Sequence, residues 1–316
     1  MPIRLYYQHS ALNTIFRGEG SLEVLPLLLG SLTLRPYVFL MLAISLVVSS
    51  IHLGYLRTAI LFCLAWGIAF LSEFSSTRNG FPYGYYEYLT GTREVELWIS
   101  NVPFFDSLSY TFMAYGAYSM ALLAYAPIIR RGADIQPVET HQLRQSLSVA
   151  LLTVVFFVFL DIVVDPVALR GSRWFLGQIF WYPKSGMYFG VPLSNFGGWA
   201  IVGVAIILLF QGIDRLLVRY GWGSNAGIRY VPSKALWGPT LYYLILLFNL
   251  TVTFMIDEPL LGCVGVLIFT PITVIMITLL FKPANQATAE ELVAHLQDFP
   301  GSPLTRWPGG VGIWKR

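Results

Sequence analysis

Seven apolar runs dominate this sequence, each close to the twenty or so residues that an α-helix needs to cross the hydrocarbon of a bilayer. They fall near 36–55, 57–72, 108–129, 147–164, 196–212, 236–256 and 260–281. Residues 22–33 are apolar but too short to cross, and are expected at the interface. Charged residues make up 12% of the chain, half the roughly 25% of soluble domains. With a mean hydropathy of +0.63, this excludes a soluble enzyme, a nucleic-acid binder and a disordered chain. A net charge of +3 is too small to suggest a polyanionic partner. A barrel would show alternating strands of about ten residues, so the spans are helical. The expected fold is all-α: a polytopic membrane protein of about seven transmembrane helices. An N-terminal interfacial segment (1–35), a helical membrane domain (36–282) and a cytoplasmic amphipathic tail (283–316) divide the chain.

Met1 to Ser21 has no basic stretch followed by an apolar core, so insertion is expected to rely on the first span. Twelve of the twenty lysines and arginines fall on one side, among them Arg57, Arg130, Arg131 and Arg144, which places that side in the cytoplasm. In the tail, Thr288 and Glu291 have capping-box spacing, and Leu292, Val293, Leu296 and Phe299 follow at helical intervals. This predicts a short amphipathic helix resting on the membrane, with Trp307, Trp314, Lys315 and Arg316 as an interfacial anchor. Cys63 and Cys263 lie in apolar runs and read as small packing residues.

The loops after the second and fourth spans are unusually aromatic. The first carries NGFPYGYYEY (79–88), Trp98, Phe104 and Phe105; the second carries Trp174, Phe175, Phe180, Trp181, Tyr182, Tyr188 and Phe189. They are expected to fold back over the helix ends as a lid, or to form a belt at the headgroups. Carboxylates gather on the same side. Glu73 ends the second span, Asp106 opens the third, Asp161 and Asp165 close the fourth, and Asp257 and Glu258 make the turn between the last two. Ionisable groups within spans are costly and mark pathways or sites. Asp161 and Asp165 share one helix face and would repel if both ionised, so one of them is a candidate proton holder, the property of a general acid. Gly80 with Gly84, and Gly186 with Gly190, bracket aromatic residues and read as tight turns.

The four histidines are dispersed, so no histidine metal cluster is visible, and His52 reads as a hydrogen-bonded interior residue. No nucleotide-binding fingerprint appears. No lysine sits inside a span, which removes a retinal Schiff base.

SEFSSTRNGFPYGYYEYLTG (72–91) with VPFFDSLSYTFMAYG (102–116), and LDIVVDPVALRGSRW (160–174) with GMYFGVPLSNFGGW (186–199), resemble the membrane carotenoid hydratases of the CruF type. The second block is the more specific. Departures at Ser76 and Asn79, where the family usually has glycine and threonine, and at Asp106 to Leu108, where it tends to place a tryptophan, bear on the substrate. The resemblance implies an enzyme of a bacterial inner membrane that adds water across the terminal C1–C2 double bond of an acyclic carotenoid end. Its partners would be a lipid-soluble carotenoid, membrane lipids and possible contacts with other carotenoid-pathway enzymes, with no nucleic acid.

That chemistry needs a neutral carboxylic acid to protonate the alkene and a setting that tolerates a tertiary cation. Aromatic faces supply about 0.5–2 kcal/mol each toward the cation. It needs no cofactor, whether metal, redox group or nucleotide. Asp161 or Glu73 is the expected proton donor, with Asp165 and Asn195 positioning water. Tyr83, Tyr85, Tyr188, Phe189 and Trp199 are the expected lining of the substrate pocket.

Two rivals stand beside this reading. A membrane prenyltransferase would use Asp161 and Asp165 as an aspartate-rich diphosphate motif, but would need a second such segment with basic partners. A carotenoid- or lipid-binding protein or transporter would use the acids as a proton relay.

Overall fold

The computed structural model describes residues 24–222 and 230–306; Trp307, Trp314, Lys315 and Arg316 lie outside them. Among the described residues the chain is mostly helical. Helix α1 (Val24–Leu34) is the short apolar segment, and seven long helices follow: α2 (Pro36–Leu53), α3 (Tyr55–Asn79), α4 (Phe104–Tyr125), α6 (Leu147–Ala168), α7 (Leu193–Arg219), α8 (Lys234–Met255) and α9 (Pro259–Phe281). A four-residue α5 (His141–Arg144) precedes α6, and α10 (Ala289–Asp298) lies in the tail.

Six of the seven long helices are long and apolar enough to span a membrane; α4 is the exception. Its composition has a tertiary cause. It packs against α2, α3, α6 and α8 and is buried almost continuously from Phe105 to Leu123. A helix shielded from lipid on all sides can carry Ser107, Thr111, Gly116 and Ser119, and its small residues let the neighbours approach closely.

Local signals set the ends. Proline opens α2 at Pro36, where the missing N–H costs nothing. Gly80 takes a left-handed φ of 82° at the end of α3, which a residue with Cβ resists. Ser146 caps α6 by accepting from the Val149 N–H, and the Thr288–Glu291 capping box is formed at α10.

Charges at the two ends of the bundle are paired, because an unpartnered ion away from water costs several kcal/mol. Arg35 meets Glu96 at one end at 3.2 Å. At the other end, Arg57 meets Asp214 and Arg144 meets Glu139 at 2.6 Å, all four buried. Arg57 and Arg144, read from sequence as loop charges, are thus interior. His52 bridges Tyr115 (3.2 Å) and Glu139 (2.8 Å), an interior histidine with both nitrogens engaged.

The tail corrects one expectation. Leu292 and Phe299 of the apolar face of α10 are covered by protein, while Val293 stays exposed. Leu292 packs with Val138 and Leu304, with Ile129 and Leu296 alongside, because the hairpin of β4 (Ile128–Arg131) and β5 (Asp134–Pro137) offers a matching apolar surface. His295 fastens this docking. Its Nδ1–H donates to the Glu139 carbonyl at 2.6 Å, and its Nε2 accepts from the Ser302 hydroxyl at 2.8 Å. Burial holds the imidazole below its ordinary 6.5, so the folded tail carries it neutral. As pH falls below about 6.5 the unfolded chain takes up a proton that the folded chain refuses, and stability falls. Thermal melts from about pH 7.5 down to about pH 5 should show this loss, and His295→Gln should flatten it.

Candidate active site

The aromatic loops fold back over one end of the bundle. Strand β1 (Glu87–Tyr88) of the first pairs antiparallel with β6 (Phe180–Trp181) of the second, Glu87 opposite Trp181, so the two loops close as one cap. The first loop is tied down further by its own short hairpin, β2 (Trp98–Ile99) with β3 (Val102–Pro103), and by Arg35 with Glu96. Its inner turn rests on α7. A Cβ at Gly198 would come within 2.8 Å of the Pro82 backbone and 2.5 Å of the Tyr83 ring, so the helix must be bare there. Gly84 (φ 98°) and Gly190 (φ 95°) supply the turns expected of the glycine pairs.

Beneath the cap the carboxyls converge. Asp161 and Asp165 share one face of α6, and Asn195, in the first turn of α7, donates its amide to both. Its Nδ2 is 2.8 Å from Asp161 Oδ2 and 2.7 Å from Asp165 Oδ2. The two carboxyls thus meet at one amide group. Asp161 is fully buried and its Oδ1 meets no donor. From the opposite side, Glu73 of α3 accepts from the Ser107 hydroxyl, and Asp106 of α4 accepts from the Tyr88 hydroxyl at 2.6 Å.

Between these groups lies a cavity of about 60 Å³, lined by Glu73, Asp106, Asp165 and Asn195 and by the rings of Tyr83, Tyr86, Tyr110, Tyr182 and Trp199. The Trp199 indole stacks on Tyr110 at 4.4 Å and 8° and meets Phe157 at 4.8 Å. A second cavity of about 90 Å³ adjoins it, sharing Asp106, Met113, Val164 and Ile179 among its lining residues. Its own walls are apolar: Tyr37, Met41, Phe112, Ile245 and Phe248, from α2, α4 and α8. The two together form an apolar passage that ends at a polar, aromatic-walled chamber.

Of the residues singled out from sequence, Glu73, Asp165, Asn195, Tyr83 and Trp199 line the chamber. Asp161 stands one layer behind Asp165. Tyr85 points to the surface, its hydroxyl bonded to Glu87 at 2.8 Å. Tyr188 and Phe189 meet edge-to-face at 5.0 Å and brace the turn at 186–191, outside the chamber. Asp257 and Glu258 sit at the turn into α9, where Glu258 is an ion-pair anchor for Arg170 (2.9 Å) and Arg173. Sequence reasoning missed Tyr86, Tyr110 and Tyr182 and did not carry Asp106 into the site. Tyr110 lies one turn after Asp106, a spacing that puts both on one face of α4. Tyr182 had no such marker, since loop closure alone brings it in.

A polytopic helical membrane protein with an acid chamber at the end of an apolar passage suits chemistry on a lipid-soluble substrate. The family model for carotenoid biosynthesis proteins matches residues 33–270, and the chain belongs to that family. It is also similar to a bisanhydrobacterioruberin hydratase of Haloarcula japonica, 29% identical over 148 residues, 46% of this chain and 43% of the relative. The chain thus matches less than half the length of that relative. No solved structure matches the chain significantly.

Gly198→Ala should push the 82–83 backbone off α7 and open the aromatic wall. The protein should still insert, with a lower Tm and faster proteolysis of the loop at 80–90, read by limited digestion in detergent.

Proposed function

We propose that the chain hydrates the terminal C1–C2 double bond of an acyclic carotenoid end. The observation that carries this is the Asp161–Asp165 pair, bridged by Asn195, at the polar end of an apolar passage. Membership of a carotenoid biosynthesis family and similarity to a hydratase support the same reading. A polyene threads the passage past Tyr37, Phe112 and Phe248, and its end group reaches the chamber.

Two buried carboxyls gathered on one amide group repel each other if both are ionised, so the pair holds one proton between them. Asp165 borders the chamber and Asp161 does not, so Asp165 delivers that proton to C2 of the alkene, and Asp161 holds it from behind. The positive charge left on tertiary C1 faces Trp199, Tyr110 and Tyr83, whose π faces contribute about 0.5–2 kcal/mol each. Water then bonds to C1 and loses a proton to a carboxylate, Glu73 or Asp106 across the chamber or the Asp pair itself. The product is a tertiary alcohol, and the proton count is restored when the pair regains its proton. The cap lies over the chamber and limits the access of bulk water to the cation.

Expression in a lycopene-producing bacterium, with mass spectrometry of the pigments, tests the activity. Each modified end should add the mass of one water. If neither lycopene nor any of a panel of monocyclic and elongated carotenoids gains that mass while the protein is well inserted, the hydratase reading falls. Positioned acid catalysis is worth about 10²–10⁴-fold, so Asp165→Asn should lose activity on that scale with normal insertion. Asp161→Asn should be impaired but less so, an order that reverses if Asp161 is the direct donor.

A further inference from the structure

The carboxyls gathered at the acid chamber do not have like surroundings. Glu73 and Asp161 are buried, whereas Asp106 and Asp165 are half-buried and line the chamber. Asp165 lies in the last turn of α6, where the carbonyl end of the helix dipole opposes a negative charge. It also shares the Asn195 amide with Asp161. Both features favour a carboxyl that keeps a proton.

Asp106 is placed the other way round. It lies in the first turn of α4, where the dipole favours an anion. Its Oδ2 receives the Tyr88 hydroxyl at 2.6 Å, a length typical of a hydroxyl donating to a charged oxygen. Because the Tyr88 hydrogen is spent there, the Tyr88 oxygen accepts from the Tyr86 hydroxyl at 3.3 Å. Two hydroxyls in series thus end on this carboxyl. Asp106 also borders both cavities, while Glu73 and Asp165 border the chamber only, so an end group threading the passage must pass it. Carboxyls whose surroundings favour opposite protonation states are the arrangement that acid–base catalysis uses.

We infer, resting on the hydratase reading, that Asp106 is the base that takes the proton of the attacking water, and that Tyr88 is its positioning residue. The alkene π pair takes the Asp165 proton at C2, and a lone pair of water closes on C1. An O–H bond of that water breaks toward Asp106, leaving the tertiary alcohol and a neutral Asp106. That proton returns through solvent to the Asp161–Asp165 pair, so the sum is alkene plus water to alcohol. Tyr88 belongs to β1, and the cap holds its ring. Tyr86 meets it edge-on at 5.3 Å and Trp98 at 5.9 Å, while β1 pairs with β6. The hydroxyl that steadies the base is therefore in place only when the two loops are closed together.

The full chain, purified in detergent, should be given in heavy water an acyclic carotenoid that the wild type hydrates, with the pigments read by mass spectrometry. Asp165 delivers a deuteron to C2 and its carboxylate takes a proton or deuteron back. Deuterium in recovered, unhydrated carotenoid therefore reports cations that water did not capture. Asp106→Asn, which keeps an acceptor for the Tyr88 hydroxyl, should lose hydration about 10²-fold or more while this exchange persists. Asp165→Asn should lose both. Tyr88→Phe keeps the ring and its packing. Its kcat for hydration should fall about tenfold with KM within about twofold, and exchange relative to hydration should rise. A purely structural Tyr88 would lower hydration and exchange together. Three results overturn the assignment in a chain that inserts normally: Asp106→Asn loses exchange along with hydration, Tyr88→Phe leaves their ratio unchanged, or Glu73→Gln separates the two signals in place of Asp106→Asn. Should Asp106→Asn fail to insert, the other two variants decide. A wild type that hydrates no carotenoid removes the hydratase reading and this assignment together. A wild type that hydrates, with variants that fail to separate the signals, removes the assignment alone.

Discussion

A carboxyl group within a hydrocarbon slab is tolerated only where protein surrounds it on every side, and in this chain α4 provides most of that surround. Because α4 never faces lipid, it can be built from small and hydroxyl-bearing residues, and its neighbours close around it. Ser107 then reaches Glu73, Asp106 reaches Tyr88, and Tyr110 stacks beneath Trp199. Without a shielded central helix the acids of α3, α4 and α6 would face lipid, and none could stay in place.

The cap depends on the same economy of polar groups. Loop backbone at a membrane surface must have its N–H and C=O groups satisfied, and pairing β1 with β6 does this while holding the two loops together over the chamber. The cap is aromatic because tyrosine and tryptophan present an apolar body with a polar edge, which serves an alkene and its cation equally well.

Much of the fold was legible because its signals are local. Hydrocarbon thickness imposes the length of each span, and proline at Pro36, glycine at Gly80 and the Thr288–Glu291 box mark helix ends within a few residues. The aromatic loops and the acids on one side were equally visible, since composition alone displays them. Less visible was the tail. Helical periodicity shows that α10 has an apolar face, but whether lipid or the β4–β5 hairpin covers it depends on a surface assembled from distant residues.

By itself, then, the sequence determined an all-α membrane protein, the approximate spans, and the end of the bundle at which acids and aromatics collect. Tertiary structure alone decided which of them meet. Asp165 borders the chamber and Asp161 stands behind it, although both lie on one helix face. Tyr83 turns inward while Tyr85, two residues on, turns out. Arg144 Nη1 meets no acceptor although a carboxylate is beside the guanidinium. These choices follow from helix rotation, loop closure and the hydrogen bonds already spent on neighbours, and none of those is a property of residues near one another in the chain.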